Sequence, residues 1–160
     1  AVTGLARVED ARWIVAGRSA GGGGYAAVFS PLDLEVTALA TPRVRAFLGC
    51  AGDPWVQTGL IGGAAGMVLW YQDGAVSSEP AVMQTDISAV AVDPDGCGWA
   101  AGTGCVMVRE RSASGASWQT AWHDPRATAP VVSLFAHGGL VVAMTADAQI
   151  LEGRRTIAVL

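Results

Sequence analysis

The sequence predicts an all-β protein made of four repeated four-stranded units, and three observations predict it. Its apolar runs are four to eight residues long, rich in Val, Ile and aromatics, and bounded by Gly, Pro and Asp, as strands are. No window holds the i, i+3, i+4, i+7 spacing with caps that a long helix needs. A similar run then recurs: Val2–Val8, Val44–Cys50, Ile87–Asp93 and Val131–His137 start 42, 43 and 44 residues apart.

Each of these runs opens a unit as its first strand. A second strand follows at Trp13–Gly17, Val56–Leu60, Trp99–Gly102 and Leu140–Ala143. The first turn is tight: Asp53-Pro54 in the second unit and Asp93-Pro94-Asp95-Gly96 in the third carry the residues that fix such turns. A third strand follows at Tyr25–Phe29, Met67–Tyr71, Cys105–Arg109 and Ala148–Leu151. In the first unit the four glycines Gly21–Gly24 lead into it. No helix follows them, so they form a flexible hairpin loop and not a phosphate cradle. A more polar fourth strand completes each unit, at Leu34–Leu39, Ala75–Ser78, Trp118–Trp122 and Thr156–Leu160.

Four strands in about 42 residues, repeated, is the period of β-propeller blades. The predicted fold is therefore a propeller of four four-stranded antiparallel blades, at residues 1–41, 42–84, 85–128 and 129–160. The composition agrees: 51% of residues are hydrophobic and 15% charged, and the mean hydropathy is +0.38. Blades stack face to face, so both sides of a sheet are buried and its strands read as continuous apolar runs. Ala and Gly suit the innermost strands, where blades converge. A sandwich or small barrel would have a wet face and clearer alternation. No run of 18 or more apolar residues offers a membrane span.

Blades of this kind usually close in rings of more than four. A ring of four demands steep twist and a very tight centre. The sequence therefore predicts half of a larger, eight-bladed ring, completed by a second copy, or part of a longer propeller. An open arc leaves two apolar blade faces in water, more than a monomer normally carries. The first unit begins with an innermost strand and the last ends with an outermost one, with no extra strand to lock a ring.

Several chemistries are excluded. The chain has no lysine and no asparagine, so Schiff-base, P-loop and kinase-type lysines and N-glycosylation are absent. That bias also suggests a GC-rich bacterial gene. The net charge is −4 and the ten arginines are scattered, which argues against nucleic acid. Cys50, Cys97 and Cys105 have neither disulfide nor zinc spacing; they read as small buried hydrophobes, with a lean to the cytoplasm. The Asp93–Gly96 turn lacks the further acids of a calcium loop. His123-Asp124 is the one adjacent acid–base pair, but neighbours on an extended chain point apart; His137 reads as a core or turn residue. No metal or cofactor is expected.

The third unit carries a resemblance. Gly98-Trp99-Ala100-Ala101-Gly102-Thr103-Gly104 runs into Cys105–Val108, and Ser112 to Trp118 follows, with Gly115, Ser117 and Trp118 in register. This resembles a blade of the Asp-box (BNR-type) propellers, including those similar to the photosystem II assembly and stability factors. Ala113 stands at the Asp position and Arg111 at the leading Ser position. Arg12-Trp13-Ile14-Val15-Ala16-Gly17 echoes the same segment in the first unit. The resemblance implies a fold, not an activity. Asp-box hydrolases such as the sialidases use a tyrosine in an acidic context; neither Tyr25 nor Tyr71 has one in the sequence.

Binding remains. The loops that share one face of a propeller would gather Arg43, Met83, Gln84, Trp122, His123 and Arg126, with Arg18 nearby; Trp and Arg are the types that dominate interfaces. The functional expectation is a non-catalytic protein-interaction or scaffold module. It self-associates or belongs to a larger chain, as in bacterial signalling proteins. The alternatives are a glycosidase-like hydrolase with its catalytic residues elsewhere, and a purely structural self-assembly domain.

Overall fold

The strand runs and their turns fold into four antiparallel sheets in a computed structural model, which describes residues 1–79, 82–112 and 115–155. Sheet 1 contains β1 (Val2–Glu9), β2 (Arg12–Arg18), β3 (Gly24–Ser30) and β4 (Glu35–Ala38). Sheet 2 contains β5 (Phe47–Asp53), β6 (Thr58–Gly63), β7 (Val68–Gln72) and β8 (Ala75–Glu79). Sheet 3 contains β9 (Ala89–Val92), β10 (Gly98–Gly102), β11 (Cys105–Ser112) and β12 (Gly115–His123). Sheet 4 contains β13 (Val131–His137), β14 (Leu140–Thr145) and β15 (Ile150–Arg154). In each sheet the strands pair in chain order, as an up-and-down meander. The fourth strand expected over Thr156–Leu160 lies outside the described residues, as does the Asp position at Ala113.

Four strands begin two or three residues later than the apolar pattern suggests, at Phe47, Thr58, Ala89 and Ile150, and for two of them the cause is a local turn. Asp53 Oδ1 accepts from the backbone N–H groups of Trp55 (2.8 Å) and Val56 (3.2 Å). That turn holds Val56 out of β6, which starts at Thr58. In sheet 4, Ala148 takes a left-handed φ of 65° in the turn after β14, and β15 starts at Ile150. The Asp93–Gly96 turn forms as expected: Gly96 N–H donates to Asp93 O at 2.8 Å with a φ of 84°.

The sheets stack in sequence through three apolar clusters. Val8, Ile14, Ala16 and Ala26 of sheet 1 pack on Phe47, Ile61, Leu69 and Tyr71 of sheet 2. Leu60, Val68 and Trp70 of sheet 2 pack on Val90, Val92 and Ala100 of sheet 3. Ala91, Trp99, Val106 and Val108 of sheet 3 pack on Ala136, Val141 and Ala143 of sheet 4. Strands β6 and β10 are buried along their whole length because both faces are covered. Glycine permits the closeness: a Cβ on Gly98 would stand 2.8 Å from the Trp70 ring, and one on Gly59 equally close to Ile14 and Val8.

The first strand of every sheet lies innermost. β1 packs on β5, β5 on β9 and β9 on β13, and all four line one central groove of about 300 Å³. β13 and β1 make no comparable contact. Hydroxyls pin two junctions: Thr3 Oγ1 donates to Phe47 O (2.8 Å), and Ser88 Oγ donates to Val131 O (2.6 Å).

Candidate interaction surface

Side chains alternate across a strand, so each sheet has one face toward the sheet before it and one toward the sheet after it. For sheets 2 and 3 both faces are occupied. Sheet 1 has nothing on its leading face and sheet 4 nothing on its trailing face, among the described residues. Register defines these two faces. On sheet 1, Leu5 pairs with Val15 and Val15 with Ala27, beside a row of Arg7, Trp13, Phe29 and Val36. On sheet 4 the rows are Ser133, Met144 and Ile150; Phe135, Val142 and Glu152; and His137, Leu140 and Arg154.

Both faces carry apolar side chains that meet water, with Arg7 among them on the first and Ser133, Glu152, His137 and Arg154 on the second; Ala27 on the first stays buried. Leu5 and Val36 are each 57% exposed on the first; Phe135 is 57% and Ile150 72% exposed on the second. Large apolar side chains grouped in this way on one sheet face mark an interaction surface more often than chance exposure. The Phe135 and His137 rings stack on each other at 6.4 Å, so this face has a set shape at its first strand.

The loop residues picked from the sequence divide. Met83, Gln84 and His123 line one cleft of about 380 Å³, together with Cys105, Met107 and Thr120. Trp122 is not with them. The alternation of β12 turns it to the other side, where it is half-buried against the cluster between sheets 3 and 4. Arg43 is exposed in the connection before β5. Arg126 is exposed and folded back on Asp124, at 3.3 Å; Arg126 N–H and guanidinium hold the Asp124 carboxyl below its ordinary range. Arg18 reaches the Gly22 carbonyl of its own loop at 3.3 Å.

The polar groups between sheets act as pins. Tyr71, without an acidic neighbour in sequence, meets one across the junction: its hydroxyl donates to Glu9 Oε1 at 3.0 Å, and Arg12 lies 3.4 Å from the same carboxylate. Burial first, then Glu9, raise the phenol pKa, so the hydroxyl keeps its proton. Tyr71 is fully buried, which suits a structural link and not a nucleophile. Arg109 and Glu79 form a nearly buried pair at 2.7 Å, and the guanidinium lies 4.0 Å over the Trp70 ring. Asp93 accepts from the N–H groups of Gly138 and Gly139, both at 3.0 Å, clamping the first turn of sheet 4. Burial pushes the Cys50 thiol up to about 12 and Cys97 to about 11.

The outer faces were not picked out residue by residue from the sequence, although the open arc implied them. The available signal was that the first and last units are as apolar as the middle two. The echo of Trp13 with Trp99 misleads in detail. Ile14, not Trp13, takes the place of Trp99 in the packed face, and Trp13 sits on the open side of sheet 1. Among the described residues no His, Cys, Asp and Glu group could hold a metal ion, and no helix is long and apolar enough to cross a membrane.

No family model and no curated protein matches the chain. Solved structures do match. The computationally designed Ika4 protein is 16% identical, with a TM-score of 0.71 over 96% of this chain and 91% of that one. The computationally designed Ika8 protein is 15% identical, with the same TM-score over 96% of this chain. This chain spans 46% of the length of Ika8. At these identities the likeness is one of fold.

Proposed function

We propose that the chain is a non-catalytic interaction module: an arc of propeller blades whose two uncovered faces dock onto protein. One observation carries this reading. The positions that meet a neighbouring sheet at the internal junctions hold Leu5, Trp13, Phe29 and Val36 at one end and Phe135, Val142, Met144 and Ile150 at the other, and no described residue of another sheet covers them. An apolar side chain left in water forgoes about 1.5–3 kcal/mol of burial, so two such faces favour association strongly. The polar groups support the same reading, since Tyr71, Glu9, Arg109, Glu79 and Asp93 are all engaged in joining sheets. A scaffold role in a larger assembly follows from the same faces.

Sedimentation equilibrium over a range of concentrations tests this. The expected result is a folded species heavier than one chain that dissociates on dilution. A folded single chain at every concentration overturns the reading.

A further inference from the structure

The partner can be argued from the packing rule inside the chain. At each internal junction the trailing face of one sheet covers the leading face of the next. The two open faces are one of each kind: trailing on sheet 4, leading on sheet 1. Their residues are also in register with the internal ones. Leu5 pairs with Val15 as Leu134 pairs with Ala143, and Leu134 and Ala143 both pack on sheet 3. Phe135 and Val142 stand where Ala91 and Trp99 stand in sheet 3. The open face of sheet 1 therefore has the form of a surface that receives a trailing face.

The polar contact at the turn end has a matching counterpart. Between sheets 3 and 4 the acceptor Asp93 meets two backbone donors at the Gly138–Gly139 turn. His137 is the residue of sheet 4 that corresponds to Asp93, and Leu140 and Arg154 continue its row. The corresponding turn of sheet 1 carries Glu9 and Asp10, the latter fully exposed. Donor and acceptor have changed sides together: His137 and Arg154 would supply the donors, and the Asp10 carboxylate the acceptor. Such paired reversal gives complementarity between this chain's own two ends.

Resting on the reading above, we infer that the partner is a second copy of this chain. Sheet 4 of each copy covers sheet 1 of the other, so the same junction forms twice and closes a ring of eight sheets. Head-to-tail contacts of this kind close into rings when the rotation allows. The array accounts for nearly the whole of one designed fold and about half the length of another, which fits an array that serves either as a unit or as half of one.

The test uses one substitution on each face, Leu5→Arg and Phe135→Arg, at side chains that already meet water. In a head-to-tail pair either substitution spoils both junctions. Each variant alone is expected to associate at least about 30-fold more weakly than the wild type. Mixing the two restores one intact junction, so the mixture forms a two-chain species at least tenfold more tightly than either variant alone. Thermal unfolding of each variant confirms that it folds, and Trp13→Glu with Ile150→Glu repeats the design with different side chains. If one variant associates as the wild type does, like faces meet like and the inference is wrong, while the interaction reading stands. If mixing restores nothing in either pair, or the wild type is heavier than two chains, the inference is also overturned. A wild type that stays a single chain overturns both.

Discussion

The junction between sheets 3 and 4 and the open faces of sheets 1 and 4 are built from the same kinds of residue, yet one is dry and the others are wet. Trp99 is 2% exposed and Ala91 6% in the junction, while Phe135, which holds the position of Ala91 one sheet later, is 57% exposed. The local rules agree in the two places: a meander, alternating side chains, apolar rows. What differs is whether another sheet follows, and the open face of sheet 4 also mixes Ser133, Glu152, His137 and Arg154 with its apolar side chains. Burial in this chain is thus a property of neighbours and not of the sequence of a single sheet, as in other stacked repeats.

The largest effect should appear where two faces meet. Trp99→Ala removes a fully enclosed ring and is expected to cost about 3–5 kcal/mol in urea unfolding. Trp13→Ala, on the open side of sheet 1, should cost a small fraction of that in dilute protein and regain weight only as the chain associates. Equal losses for the two at low concentration would break the distinction between junction and open face. Next in size is Glu79→Ala. It leaves Arg109 charged and nearly buried over the Trp70 ring without its carboxylate, and an unpaired buried charge costs about 3 kcal/mol or more. Replacing both partners together, with Glu79→Leu and Arg109→Met, should cost less than Glu79→Ala alone. Thermal unfolding of the three proteins checks the order.

The architecture was legible because its cause is local. Strand length, turn residues and a repeat of about 42 residues are written in consecutive positions, and the Asp53 and Asp93 turns fell where Asp and Pro placed them. The face of each residue was less legible, because a slip of one position along a strand reverses it. The pair Ala6 and Ile14 of sheet 1 stands where Ala91 and Trp99 stand in sheet 3, so Trp13, one position away, faces the other side from its echo. The polar pins could not be read at all. Tyr71 and Glu9, or Asp93 and Gly138, are brought together only by sheet stacking across 62 and 45 residues. Of the loop residues, Met83, Gln84 and His123 came to one cleft, while Trp122 went to the junction because the strand carrying it alternates.

A subtler difference between junction and surface should show with alkali. Cys50 is held at about 12 by burial next to the junction of sheets 1 and 2, against an ordinary thiol value of 9.0. The unfolded chain loses this proton near pH 9 and the folded one keeps it. The unfolded state therefore binds fewer protons, and stability falls as pH rises from about 9 toward 12, by at most about 1.4 kcal/mol per pH unit for this thiol. Cys97, raised to about 11, acts in the same direction. Cys50→Ala should flatten the decline without abolishing it. A decline of unchanged steepness in that variant would mean the thiol is in contact with water.

The smallest effect on stability is expected at Asp10, and there the two regions are most sharply separated. Its carboxylate has one ion-pair partner, Arg7 at 3.0 Å, and its side chain is fully exposed. Exposed pairs of this kind add little to folding, because water and salt replace them. Asp10→Ala should therefore leave the melting temperature of the dilute chain where it was. If sheet 1 receives sheet 4 of a second copy, the same substitution removes the acceptor for His137 and Arg154. Association should then weaken several-fold and lose part of its salt dependence, as when one charge is deleted at the rim of an interface. A melting temperature that drops with Asp10→Ala while association is untouched would place this carboxylate in the fold and not at the interface.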